Sequence, residues 1–199
     1  MRFVAAWMIS FALCCAYGAS IASHGNGASL TVVYQFDGPY SDKFFQEAKH
    51  ELRFILLDSG IHVDWRDRSQ VSSSESFADL VVVRFRGVCK MDHAPYRRED
   101  SGPLGFTYAS EGSILPFSEV ECDRVRSSLR RVMSAEDSGR SDALFGRAIA
   151  RVLAHELYHV LARTQSHAAK GVARRALSGS DLIGDQLELS QDELNNMHH

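Results

Sequence analysis

Two kinds of hydrophobic pattern alternate along the chain, and each switch between them marks an element. Residues 30–36 are rich in β-branched and aromatic side chains and predict a strand. Asp37, Gly38 and Pro39 supply turn chemistry. From Ser41 the period lengthens. Phe44, Phe45, Ala48, Leu52, Ile55 and Leu56 recur at three- and four-residue spacing, which predicts a helix to about Asp58 that ends at Ser59 and Gly60. Residues 61–65 alternate again, as a half-buried strand with His62 toward solvent. A serine-rich loop covers 69–76, and 80–85 is apolar enough for a strand central in its sheet.

The second half begins with a polar, irregular loop over 87–103 that holds Cys89, His93 and Pro95. Residues 105–109 predict a short strand, and Glu111 and Gly112 a turn. A further strand is expected over 117–125, passing into a short helix over 127–133, with a loop over 134–140. Ser141 or Asp142 then caps a helix that should run to about Arg163. Its apolar positions, among them Leu144, Phe145, Ala148, Ile149, Val152 and Leu153, cover so much of its surface that it must pack deeply. A turn of helix is expected within 168–177. Ser190 and Glu193 fit the capping-box spacing of a last short helix.

This order predicts an α+β fold with a mixed, mainly antiparallel twisted sheet. The two major helices should pack on the same face of that sheet. With 199 residues, 45% of them hydrophobic and 24% charged, the chain suits one soluble domain of ordinary size. A formal net charge of −3 offers no general attraction to nucleic acid or anionic membranes.

The N-terminus reads as an address rather than as fold. A basic start at Arg2, an apolar run over 3–17 and small residues to Ala22 make a secretory signal, with cleavage expected after Ala22. The run is short for a membrane span, and no stable insertion is expected once it is removed. Residues 23–199 then form the single domain of a secreted or periplasmic protein. Its two remaining cysteines, Cys89 and Cys122, are expected to form a disulfide in an oxidising compartment.

Chemistry concentrates in the last major helix, where His155, Glu156 and His159 spell H-E-x-x-H. Residues four apart share one helix face, so both imidazoles can bind one zinc ion. Glu156 is turned about 100° from His155 and can approach a water on the metal without ligating it. A catalytic zinc keeps three protein ligands. His167 is the preferred third, on the shortest tether; Asp181, Asp185 and Glu188 are acidic rivals, and His93, His198 and His199 weaker ones.

These residues and this element order resemble the zincins, and specifically the metzincins, whose pattern is H-E-x-x-H-x-x-G-x-x-H. His155, Glu156 and His159 match it. Ala162 stands in place of the glycine and Gln165 in place of the third histidine, so His167 comes two residues late. The chain is more similar to small secreted bacterial zincin-like proteins with a longer His-to-His spacing, and Gly105-Phe106 and Asp123-Arg124-Val125 are similar to short stretches of that group. The resemblance implies a secreted zinc-dependent metallopeptidase acting on peptide or protein substrates, with Glu156 as general base. It also implies that substrate pairs with the sheet edge beside the active helix, for which 105–109 is the candidate. The alternative is a zinc-binding module of the same fold without significant proteolysis.

Overall fold

The computed structural model describes residues 28–91 and 102–197. The expected signal segment, His93, His198 and His199 lie outside them. The first strand, β1 (Ala28–Phe36), leads through α1 (Asp42–Ile55) into β2 (Ile61–Asp67). Ser41, where the helical pattern begins, caps α1 by accepting a hydrogen bond from the Phe44 amide. The helix stops at Ile55, three residues earlier than expected. A 3-10 turn (Leu57–Ser59) and Gly60, at φ 66°, complete the reversal. Then come β3 (Leu80–Arg86), β4 (Gly105–Ser110) and β5 (Ser113–Glu121).

These strands form one sheet in the order β2-β1-β3-β5-β4. The expectation of a mainly antiparallel sheet is overturned: β1 pairs in parallel with both β2 and β3, β3 pairs in parallel with β5, and only β4 runs antiparallel to its neighbour. The reason is visible in the chain. α1 is long enough to carry it back over the sheet between parallel neighbours, and antiparallel hairpins need no such crossover. Leu30-Thr-Val-Val and Leu80-Val-Val-Val are also the continuous apolar runs typical of parallel strands. The final hairpin inserts β5 beside β3 and leaves β4 at the edge.

The break between β5 and the next helix also differs from the expected one. The strand begins at Ser113, and α2 (Cys122–Leu129) starts directly after Glu121. Pro116 concealed the early start of β5. It lies between Ile114 and Ser118, where the register with β4 shifts, and ahead of Phe117, where pairing with β3 begins. A residue without an N–H is tolerated in such a gap.

Cys89 and Cys122 are joined in a disulfide, with Cα atoms 5.1 Å apart, so this expectation is met. The bridge ties the loop after β3 to the start of α2. The longest helix, α3 (Ser141–Leu161), follows a 3-10 segment (Ala135–Arg140). Neither Ser141 nor Asp142 caps it. Asp142 lies in its first turn and instead accepts hydrogen bonds from Ser41 and the Met91 amide.

Both major helices cover one face of the sheet. Tyr34 is opposite Val83, Val83 opposite Ser118, and Ser118 opposite Thr107, so these four side chains share a face. Tyr34 packs on Phe45 of α1, and Thr107 hydrogen-bonds Glu156 of α3. Between the helices, buried Arg151 meets Glu51 at 2.8 Å and donates to the Asp181 carbonyl. The opposite face of the sheet carries exposed Phe106, Tyr108 and Phe117 beside the Arg84–Asp37 and Arg86–Glu119 ion pairs. Among the described residues no helix is long and apolar enough to cross a membrane.

The C-terminal part contains no helix within 168–177. That segment is irregular, held by a bridge between Ala168 and Arg174 and by Gly171 at φ 81°. A short helix appears instead as α4 (Gly179–Ile183), capped reciprocally by Ser178 and Asp181, an S-x-x-D spacing that the apolar pattern does not reveal. The chain closes with α5 (Gln191–Met197).

Candidate metal centre

α3 presents His155 and His159 toward β4, one helical turn apart. Their Nε2 atoms are 3.2 Å from each other. Each ring is held from behind by its other nitrogen: Nδ1 of His155 is 3.0 Å from the Val172 carbonyl, and Nδ1 of His159 is 2.8 Å from the Thr164 carbonyl. A carbonyl can only accept, so both Nδ1 atoms carry the proton and both Nε2 lone pairs face inward. This tautomer and orientation are what metal-ligating histidines require.

The chain reaches the third histidine through a tight reversal after α3. Arg163 takes φ 49°, the left-handed conformation that glycine ordinarily supplies, and the Thr164 amide bonds back to the His159 carbonyl. This turn does two things: it aims the Thr164 carbonyl at His159 and brings His167 round to the same point. Ligand atoms of His155, His159 and His167 all lie within 4.8 Å of one another. Among the described residues no other group of histidines, cysteines or carboxylates is arranged to hold a metal ion. The acidic rivals are not brought to the site. Asp181 caps α4 and pairs with Arg174 at 2.6 Å, while Asp185 and Glu188 are exposed.

Three imidazoles, two of them with inward Nε2 lone pairs, fit a metal ion such as zinc. Two nitrogens about 2.0–2.1 Å from one tetrahedral zinc would be about 3.3 Å apart, close to the spacing of the His155 and His159 Nε2 atoms. Burial also keeps the rings neutral. It holds His155 down to about 4 against the help of its Val172 hydrogen bond, with His159 and His167 pushing the same way as burial. It likewise lowers His159.

Glu156 is buried beside the histidines, and burial pushes its carboxyl up to about 7, opposed by a hydrogen bond from Thr107. Thr107 Oγ1 lies 2.7 Å from Glu156 Oε2 and 3.0 Å from Ser118 Oγ. The chain of hydroxyls can therefore run from Ser118 through Thr107 to the carboxylate. Gly105 makes room for it, since a Cβ there would lie 2.6 Å from Glu156 Oε1. Tyr158, adjacent in sequence, points elsewhere and meets Asn196. Sequence reasoning missed Thr107, Val172 and Thr164. The last two act through backbone carbonyls, which no residue type signals.

A cleft of about 680 Å³ opens over these groups. The β4 segment from Gly102 to Ala109 forms one wall, Arg175, Ala176 and Leu177 lie at the other, and the three histidines and Glu156 complete it.

The sequence matches no protein-family model and none of the curated proteins. Archaemetzincin from Methanopyrus kandleri is similar in structure, with a TM-score of 0.51 at 11% identity, over 89% of this chain and 97% of that one. The fold is zincin-like. At such low identity the likeness concerns the fold alone. In this zincin-like frame the helix with His155 and His159 lies under the edge strand, which pairs only with β5 among the described strands.

A buried carboxylate from outside the cleft completes the support. Glu193 on α5 is 0% exposed; its Oε1 accepts from the Ala173 amide and its Oε2 from the Ser190 amide. Ala173 follows Val172, whose carbonyl holds His155. The capping box read at Ser190 and Glu193 thus reaches across to the loop behind the histidine.

Proposed function

We propose that the chain is an exported zinc metallopeptidase. His155, His159 and His167 would hold the zinc, and Glu156 is the general base. The observation that carries this reading is the facing Nε2 pair, each ring anchored at Nδ1, with His167 and a buried carboxylate converging on the same cleft. Zinc at three imidazoles supplies Lewis acidity, lowering the pKa of a water and polarising a carbonyl.

The residues of the chain do the rest. Glu156 takes the water's proton on its carboxylate and later passes it to the leaving amine nitrogen. Thr107 holds Oε2, which steers the carboxylate toward the cleft. The edge of β4 that pairs with no described strand offers backbone donors and acceptors to an extended peptide, which would add to the sheet as a further strand. The apolar side chains of Leu104, Ile114, Val152 and Leu177 line the cleft and limit water around the reacting bond. The disulfide and the apolar N-terminal run support export with removal of residues 1–22.

Metal analysis of the purified protein, followed by digestion of a mixed peptide library by the wild type and by Glu156→Gln, tests the proposal. Stoichiometric zinc is expected, with cleavage by the wild type only. Absence of zinc, or equal cleavage by both proteins, would refute it. Zinc binding without any cleavage would favour the non-proteolytic module.

A further inference from the structure

Within the cleft wall, charge is distributed unevenly. The β4 side, from Gly102 to Ala109, contributes no ionisable side chain to the lining. At the other side stands Arg175, among the described residues the only lysine or arginine that lines the cleft. Its neighbour Arg174 is engaged by Asp181 at 2.6 Å. Arg175 itself is exposed, and among the described residues it has neither an ion-pair nor a hydrogen-bond partner.

The backbone leading to Arg175 is fixed. The Val172 carbonyl is tied to His155 and the Ala173 amide to Glu193. Three residues separate Val172 from Arg175, at most about 11 Å of extended chain. The backbone that carries Arg175 is therefore held near the candidate site, and its guanidinium, with five donors, has no partner among the described residues. Such a planar fork matches a carboxylate in two parallel hydrogen bonds. Glu156, the one carboxylate lining the cleft among the described residues, is already held by Thr107.

We propose that Arg175 makes the cleft selective for peptides that present a carboxylate next to the reacting bond. This rests on the peptidase reading, with the histidines and Glu156 at the centre. The carboxylate has two sources, a glutamate or aspartate side chain within a chain or the free C-terminus of a substrate. In the first case the enzyme cuts internally beside acidic residues, and in the second it trims chain ends.

Two measurements on the full chain test the proposal. The first is the affinity of matched peptides for the zinc-loaded Glu156→Gln protein, which binds without turnover. The peptides differ only in Glu against Gln, or in a free C-terminus against an amide. An ion pair at an exposed arginine predicts a preference of about 2–10-fold for one of the acidic forms. That preference should weaken at high salt, because Arg175 is exposed. It should vanish when Arg175→Gln is added and persist in part with Arg175→Lys. The pair that shows the preference identifies the source of the carboxylate. Equal affinity within both pairs, or a preference that survives Arg175→Gln, would overturn the proposal.

The second measurement is the cleavage profile of a peptide library with wild type and Arg175→Gln. Loss of the acidic preference with cleavage retained is the expected result. Cleavage without any acidic preference sinks the role of Arg175 but leaves the peptidase intact. A carboxylate preference in binding, with no cleavage by the wild type, sinks the peptidase and leaves the binding site.

Discussion

Glu193→Ala should disturb the candidate metal centre from a helix that does not touch it. The carboxylate is fully buried, and each oxygen accepts one backbone amide, from Ala173 and from Ser190. Gly171 is packed so closely that a Cβ on it would meet Oε2 at 1.9 Å. Alanine at 193 leaves two N–H groups without acceptors, a buried one at Ala173 and a half-buried one at Ser190. A buried one costs about 1–3 kcal/mol and a half-buried one less, so the loss is on the order of 2–4 kcal/mol. That is a sizeable part of the roughly 5–15 kcal/mol that holds a domain together. For a chain of this size it corresponds to a fall in melting temperature of about 4–16 °C.

The second consequence is local. Residue 173 is released, and with it the Val172 carbonyl that orients His155. Loss of such a support typically weakens metal binding about 10–100-fold. Thermal melting of the metal-free protein gives the first quantity, and zinc competition against a chelator gives the second. Asp192→Ala, at the exposed neighbouring position, should change neither. A Glu193→Ala protein that melts with the wild type, or that loses stability but keeps full zinc affinity, would refute the link between α5 and the histidines.

Three further substitutions probe the neighbouring supports. Thr107→Val removes the hydrogen bond that pulls the Glu156 carboxyl down against burial, so the acidic limb of the pH–rate profile should move to higher pH; Thr107→Ser should restore it, and an unmoved limb would dismiss the contact. The sign follows because the base acts ionised, and a higher pKa leaves less of it ionised at a given pH. Arg163→Gly relieves the strain of a left-handed arginine, worth about 1–2 kcal/mol, against roughly 0.4–1 kcal/mol of added chain entropy; a neutral to slightly higher denaturation midpoint is expected, and a marked drop would contradict this account of the turn. Cys89→Ser with Cys122→Ser opens a bridge between residues 33 apart, and the chain-entropy relation predicts a loss of about 4 kcal/mol in denaturant melts.

Much of the frame could be read from periodicity. The strands at 30–36, 61–65 and 80–85 and both major helices follow from it, because their apolar faces are buried and burial imposes the period. Strand direction does not. A strand has the same alternation whichever way its neighbour runs; the parallel pairing of β1 with β2 is set by the return path of α1 over the sheet, and that of β1 with β3 by the connection over 68–79 that brings the chain back from β2. Pro116 misled for a related reason: whether a proline breaks a strand depends on whether its position is paired, and here it falls in a gap in the register.

The site divides in the same way. His155, Glu156 and His159 are legible because helix geometry turns sequence spacing directly into spatial spacing. His167 is harder to read, since its place depends on a turn with no glycine. The structure makes that turn by forcing Arg163 into the left-handed region, and the turn's own carbonyl, at Thr164, becomes the support for His159. On the other side, the irregular stretch after residue 168 supplies the Val172 carbonyl to His155 and is itself held by Glu193. In both cases an irregular segment holds a ring through a backbone group. The side chains at Thr164 and Val172 can therefore vary as long as the path of the chain is kept. The arrangement should tolerate Val172→Ile, which leaves the carbonyl in place, far better than Gly171→Ala, which drives a Cβ into the carboxylate that holds the loop.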